Sequence, residues 1–382
     1  MLERSPHLQA VGGGITIWFN GVAGLDRLGL ADAIEAVGER LEFQEMRTWR
    51  NSTLFEIPIG DLVRANGLRP PLVVRRPDLL RTLTEALDDG VVRAGVGCTG
   101  FEQDADGVTV QLSDGSSERA AVLVAADGID SEIRAALLPD AQPRFSGYQY
   151  LRAVTDFEDA RVPVGRLVFT FGRGDRFGIN ACDGWTYWFA VIVAPPGTED
   201  SALGRKRDLL ERFADFPPPI CDYIDATPES SIGRVDTRDL DPLSSWTSGR
   251  VTLIGDAAHA TTPNMARGAG EAVEDAVALA RELASAGTLE DGGRVEAALR
   301  AFEAERRPAA TKVQKTARRI GKTASWRNPV ACAFRDQLMR RVAGKAIVKQ
   351  MREEAAELGR AAALANAERA GPPPTPTQGL SG

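Results

Sequence analysis

The chain has 382 residues, 43% of them hydrophobic and 26% charged, an ordinary globular composition with apolar side chains enough for two packed units. A net charge of −7 supplies no positive field to hold a nucleic-acid backbone or an acidic lipid surface. Cys98, Cys182, Cys221 and Cys332 form no C-x-x-C pair, and His7 and His259 are the only histidines, so no structural zinc or disulfide framework is expected and a reducing cytoplasm fits.

No uninterrupted apolar run of about 18 residues appears, and Met1-Leu-Glu-Arg-Ser-Pro lacks the layout of a secretion signal, so no stable membrane insertion is expected. In chain order, Gly12-Gly13-Gly14 signals a loop, and Val22, Leu25, Leu28, Leu30 and Ile34 follow at a spacing that suits a helix and its exit. Two strands are expected next. Pro77-Asp78-Leu79-Leu80 then opens a helix with Leu79, Leu80, Leu83 and Leu87 as its apolar stripe, ending near Asp89-Gly90. Residues 107–112, 113–116 and 121–126 read as strand, tight turn, strand; the last is apolar enough to be buried on both faces and carries Asp127-Gly128 at its carboxyl end.

From about 146 to 245, aromatic and aliphatic residues alternate, as in 166–171 and 185–193, which predicts an antiparallel sheet inserted as a second domain. Alternation assigns most of Phe169, Phe171, Phe177, Trp185, Tyr187, Trp188 and Phe189 to the core, and about half of them are expected never to touch a ligand. Residues 250–254 form a short buried strand followed by Gly255-Asp256, and a long helix is predicted over 268–286. Helices over 291–321 and about 330–348 come next, and the proline-rich end from Gly371 reads as a disordered tail.

The segment from Gly255 to Asp275 joins a buried strand to a helix through small residues, so a ligand can approach its backbone closely. Asp256 can accept a hydrogen bond from a sugar-like hydroxyl, and free N–H groups near Gly268 give the helix start a partial positive charge suited to an electron-rich ring or an anion. Taken residue by residue, a tight capped connection without a ligand accounts for it equally well. As a whole the segment resembles the group A flavoprotein monooxygenases, the family of para-hydroxybenzoate and salicylate hydroxylases, which read G-D-A-A-H, then P-x-x-G-Q-G, then E-D-A. Gly255, Asp256, Ala257, Ala258, His259, Pro263, Gly268, Glu274, Asp275 and Ala276 match; Ala266 replaces the family's glycine and Arg267 its glutamine.

The resemblance implies an α/β fold: a Rossmann-like FAD-binding domain without its first strand and helix (1–145 and 246–290), an inserted antiparallel-sheet substrate domain (146–245), C-terminal helices (291–350) and a tail (351–382). It also implies that Asp256 binds the flavin ribityl chain, that the backbone near Gly268 and Ala269 faces the ring, and that Gly255 and Pro263 belong to the same cofactor-binding site. Asp127 and Gly128, in a stretch like the family's A-D-G-x-x-S-x-x-R, would position FAD and the pyrophosphate of NAD(P)H, and Arg76, ahead of its helix, would contact the flavin. An ordinary turn and a surface ion pair are the alternatives for these two.

The family begins with a strand, a G-x-G-x-x-G loop, a helix, and a second strand ending in E-R or D-R. Here Met1-Leu2-Glu3-Arg4 comes first, so Glu3 resembles the acid that grips the adenosine ribose, with Arg4 beside the adenine, unless both belong to a frayed terminus. The expectation is that a preceding unit of roughly 30 residues is missing because a valine codon was read as the initiator, with genuine truncation as the alternative. The activity implied is hydroxylation of an aromatic or polyketide-like small molecule with NAD(P)H and O2, by way of a C4a-hydroperoxyflavin and with no side chain as catalytic acid or base. The alternatives are an epoxidase or reductase on the same scaffold, and a non-catalytic scaffold that has lost FAD. No G-x-S-x-G with partners supports a hydrolase.

Overall fold

The structure, a computed structural model, describes residues 1–8 and 13–370; Gly12 of the expected glycine loop and the expected disordered end from Gly371 lie outside the described residues. The chain opens with β1 (Leu2–Glu3) and β2 (Gly14–Ile17), then α1 (Phe19–Arg27) and α2 (Ala31–Glu35), two helices where one was expected. Gly29, at φ +74°, turns the chain between them and leaves Leu28 half exposed. Next come β3 (Gly38–Arg40), β4 (Phe43–Thr48), β5 (Thr53–Ile57), α3 (Ile59–Arg64), β6 (Leu72–Arg75) and α4 (Arg76–Glu85), with Pro77 in the first turn of α4. β7 (Arg93–Ala94), the meander β8 (Cys98–Gln103), β9 (Val108–Leu112) and β10 (Ser117–Ala120), then β11 (Leu123–Ala125) and α5 (Glu132–Leu137) follow.

Longer strands succeed them: β12 (Arg144–Thr155), β13 (Arg166–Phe171), β14 (Arg176–Cys182), β15 (Trp185–Ile192) and β16 (Gly233–Asp239), with α6 (Arg205–Arg212) and α7 (Ile220–Ala226) between the last two. β17 (Thr247–Ser248) and β18 (Val251–Leu253) lead through α8 (Asp256–His259) and a 3-10 turn at Pro263–Met265 into α9 (Gly268–Ser285) and α10 (Gly292–Ala324). α11 (Pro329–Leu338), a π turn at Met339–Ala343 and α12 (Gly344–Ala370) complete the described chain.

The large sheet has seven strands in the order β16-β12-β15-β14-β13-β4-β5. Its register sorts the side chains onto two faces, because successive residues of a strand point to opposite sides. Leu151, Ala153, Val168, Phe177, Ile179, Trp188 and Ala190 pack under Leu209, Phe213, Ile220, Tyr223 and Ile224 of α6 and α7. Tyr150, Arg152, Phe169, Tyr187 and Phe189 share the opposite face. The Rossmann-like part pairs β11 with β18 in parallel and covers them with α9 and α10 through Leu253, Ala278, Leu279, Leu299 and Phe302. β1 and β7 form a separate parallel pair, with Leu2 against the same core.

Four expectations change. Residues 43–57, grouped by sequence with the first domain, contribute β4 and β5 to the large sheet. That sheet is not wholly antiparallel, since β4 runs parallel to β13 along its full length, Arg166 opposite Phe43 through Phe171 opposite Thr48. The strand at 121–126 is not buried on both faces: β11 pairs only with β18 among the described residues, and Val124 is exposed. The segment 351–370 is helix rather than tail, because Met351 and Ala355 bury themselves against Leu62 and Val63 of α3.

Candidate active site

Parallel pairing of Ala125 with Leu253, continued by the Ile254 N–H to the Ala125 carbonyl at 3.0 Å, makes Asp127-Gly128 and Gly255-Asp256 leave the sheet side by side. The carboxyl ends of adjacent parallel strands are where such folds bind ligands. Gly255 has φ +57°, and a methyl group there would stand 3.2 Å from the Ala272 methyl, so glycine lets α9 close on the strand end. Asp256 is open while Ala257, Ala258 and His259 beside it are buried. Its carboxylate makes no hydrogen bond among the described residues, yet protein surrounds it closely enough for desolvation to raise its pKa against the pull of His259 and Arg76. It therefore lines a cleft.

Arg76 joins this group. Its amide donates to the Gly13 carbonyl at 3.1 Å, and its Nε is buried without a partner. Pro263 is exposed, and Gly268 and Ala269 begin α9 with no side-chain cap, which leaves the first-turn N–H groups free for a ligand. Ala266, the departure from the family's glycine, adopts a left-handed φ of +53°. Asp127 is exposed and only grazes the Ile133 N–H at 3.5 Å, while Gly128 has φ +81° and open space where a Cβ would be. Ser131 caps α5 at 3.0 Å, and buried Arg134 braces the carbonyls of Ile129, Ala141 and Ala257. Glu3 turns inward to accept from the Ser5 N–H at 2.7 Å, and Arg4, exposed, lies near enough to Asp130 to help Arg238 hold that carboxyl down.

Behind the cleft runs a buried charge network that the sequence did not announce. The Asp275 carboxylate accepts from the Gly255 N–H at 2.9 Å, contacts His259 Nε2 at 2.5 Å and takes Arg306 Nε at 2.8 Å. Burial pushes its pKa up, and His259 and Arg306 together bring it below the usual range. Arg306 also holds Glu271 at 2.8 Å and Glu274 at 2.7 Å, and Arg267 joins Glu271 to Glu354 of α12. Thus one carboxylate fixes the strand end that presents Asp256, and His259, its ring tilted against that of Trp246 at 5.0 Å, serves that brace.

The large sheet supplies the opposite wall. Asn264, in the turn ahead of α9, donates to the Tyr148 hydroxyl at 2.7 Å and accepts from Arg176 at 2.8 Å, which fastens the turn to β12 and β14. Arg176 is fully buried over the Tyr148 ring, and burial draws its guanidinium down to about 10. Tyr150, Phe169 and Phe189 are only half buried, with Tyr150 stacked 5.3 Å from Phe189 and its hydroxyl 3.2 Å from that of Tyr187. Desolvation, reinforced by Tyr187, keeps the Tyr150 phenol well above its ordinary pKa and hence protonated. Phe177 and Trp188 belong to the helix-covered core. The sequence reading missed Tyr150, Arg152 and Arg176; the i, i+2 spacing of Tyr148, Tyr150 and Arg152 was the signal that could have found the first two.

Among the described residues no group of three His, Cys, Asp or Glu could hold a metal, and no helix is long and apolar enough to cross a membrane. Two open surface recesses, one beside Asp32 and Arg69 and one beside Glu296 and Arg307, share no residue with the cleft.

Residues 14–317 match the model of a family described as an FAD binding domain. The chain is 36% identical over 341 residues to the aurachin C monooxygenase/isomerase of Stigmatella aurantiaca, covering 89% of this chain and 87% of that one. It is 32% identical over 349 residues to the 3-amino-4-hydroxybenzoate 2-monooxygenase of Streptomyces cremeus, with coverages of 89% and 85%. Among solved structures, Klebsiella pneumoniae HpxO in complex with FAD and uric acid superposes with a TM-score of 0.83 at 28% identity, over 93% of this chain and 89% of that one.

Proposed function

Since the chain belongs to the FAD binding domain family of group A flavoprotein monooxygenases and is itself an FAD-dependent monooxygenase, we propose that it hydroxylates an electron-rich ring seated between the aromatic face of its large sheet and the turn that opens α9. The observation that carries this reading is the half-buried trio Tyr150, Phe169 and Phe189: three aromatic side chains left open on a sheet whose other face is packed shut. Relatives named for aurachin C, 3-amino-4-hydroxybenzoate and urate support a small cyclic substrate.

The residues present fit a flavin. Asp256 offers an acceptor without a protein donor, the first turn of α9 offers uncapped N–H groups, and Gly255 lets the helix approach the strand end closely. FAD, when bound, supplies the redox and oxygen chemistry. In this reading Asp256 anchors a cofactor hydroxyl, Gly268 and Ala269 turn the positive end of α9 toward the ring, and Arg76, Asp127, Gly128, Glu3 and Arg4 line the remaining length of the cofactor. Tyr150, Phe169 and Phe189 orient the substrate and keep water from it. Reduced nicotinamide and O2 are the co-substrates, and the work is done in the cytoplasm.

Oxygen insertion tests the proposal. FAD-loaded protein supplied with NADH or NADPH and a panel of phenols, aminophenols and hydroxylated heterocycles under 18O2 should yield a product heavier by one labelled oxygen. Nicotinamide oxidation with hydrogen peroxide as the sole oxygen product across the panel would refute it in favour of an oxidase or reductase.

A further inference from the structure

The C-terminal helices carry a face that the fold leaves uncovered. Val330, Phe334, Leu338 and Val342 follow one another at four-residue intervals along α11 and the π turn, and all four are exposed, Val330 at 78% and Phe334 at 63%. A four-residue repeat on an α-helix drifts by about 40° a step, and the wider π turn swings Val342 back toward the line of Phe334. Trp326, four residues before Val330 in the connection from α10, is exposed as well. Single exposed apolar side chains are ordinary on a protein surface. A contiguous row of them, about 18 Å from Val330 to Val342, marks an interaction site.

The row is framed by positive charge. From Trp326 to Arg352 the sequence has seven Lys or Arg and a single acid, Asp336, which Arg335 holds, so this stretch is strongly basic in a chain whose net charge is −7. Arg341 lies three residues from Leu338 and Lys345 three from Val342, the spacing of neighbours on a helix surface, and neither exposed cation has an acid partner among the described residues. Arg340 donates to the Ser52 hydroxyl at 2.7 Å, which brings the tip of the β4–β5 hairpin to the same end of the protein. There the half-buried Trp49 ring lies 5.0 Å from the guanidinium of Arg50 and 5.3 Å from that of Arg173. The exposed Arg327 packs along Gly174, the residue after Arg173. The overall charge thus excludes a general positive field, while a local one gathers at this end.

We infer that this face seats the protein on an anionic lipid bilayer, with the apolar row entering the headgroup boundary and the cations set against the phosphates. The chemistry is that of an interfacial amphipathic helix: an apolar stripe, Lys and Arg beside it whose stems can reach up to the headgroups, and tryptophan at the boundary. No helix among the described residues is long and apolar enough to cross a membrane, so the contact is interfacial. A second copy docked through the same row would bring Arg341 and Lys345 against their own counterparts, which charge opposes. A peptide groove does not fit either, because the row stands on an exposed helix and the two open surface recesses share no residue with it.

The test is flotation of the full chain, loaded with FAD, with vesicles of phosphatidylcholine alone or mixed with an equal part of phosphatidylglycerol. Wild type should bind the mixed vesicles about tenfold or more tightly than the neutral ones, and added salt should weaken that binding. Arg341→Gln combined with Lys345→Gln should lower affinity for the mixed vesicles by about tenfold or more, at roughly fivefold for each cation lost. Phe334→Gln should lower it by about tenfold through lost apolar contact. Arg300→Gln, which removes an exposed arginine in the first half of α10, should change nothing. FAD affinity and melting temperature should be the same in all of these proteins, since every substituted side chain is exposed. Equal binding to both vesicle types, binding to neither, or an equal loss in Arg300→Gln would each overturn the assignment. Binding to polyglutamate that matches the mixed vesicles and ignores Phe334→Gln would overturn it in favour of an acidic macromolecule. A dimer that Phe334→Gln dissociates, in protein without vesicle affinity, would give the row to a second copy instead.

Discussion

Replacing Arg306 by methionine removes the cation that three buried carboxylates share. Arg306 lies within 2.8 Å of Glu271, Glu274 and Asp275, and all three acids are largely out of solvent. Methionine keeps most of the stem volume, so the loss is electrostatic: the acids are left with Arg267, which Glu354 also engages, and with His259. Breaking a buried pair in this way costs about 3–5 kcal/mol, a large part of the 5–15 kcal/mol typical of a folded domain. The sign with pH follows from the acids. Burial, with Glu271 next to it, already raises the pKa of Glu274 in the native protein, and without Arg306 it rises further. A carboxyl with a folded pKa above its unfolded value binds more protons when folded, so stability falls as pH rises between those two values, and the penalty is complete above the folded one. The difference between variant and wild type in urea unfolding, followed by circular dichroism, should therefore shrink from pH 7.5 to pH 5.5. Adding Asp275→Asn should restore part of the loss, because Asn still accepts from the Gly255 N–H. A deficit below about 1 kcal/mol, independent of pH, would show that the network does not brace the cleft.

The other predictions are local. Ala266→Gly relieves a left-handed alanine; the relief of about 1–2 kcal/mol, less the chain entropy of glycine, leaves a gain of about 0.5 kcal/mol, and a lower urea midpoint would contradict it. Gly14→Ala forces the Tyr187 ring aside and should cost about 1–3 kcal/mol together with weaker binding of the ring substrate; an unchanged melting temperature would speak against the close approach. Glu303→Ala frees the Trp246 and Thr247 amides and two hydroxyls that share one carboxylate oxygen, and should cost about 2–3 kcal/mol in chemical denaturation with FAD affinity little changed.

Legibility followed the range of the interactions. The strand ends at 125 and 253, the proline-started α4 and the long α9 were readable because each is written in local spacing and small residues. The two strands at 43–57 were expected, but their membership in the large sheet was not, since their partner β13 lies more than a hundred residues away. α12 was legible only to about 348, because its continuation is held by Met351 and Ala355 packing against α3, a long-range contact that local composition does not record. In the site, Asp256 and Arg76 stood out by motif, while Tyr150, Arg152 and Arg176 did not, because only the register of the large sheet places them at the cleft.

Cofactor titration bears most directly on the account. Quenching of FAD fluorescence by the full chain, with Asp256→Ala alongside, should give a saturable yellow complex for wild type and an affinity lower by about tenfold to a hundredfold for the variant, the cost of one hydrogen bond to a charged acceptor. A wild-type chain that folds and takes up FAD no better than its Asp256→Ala variant would contradict the assignment of the cleft.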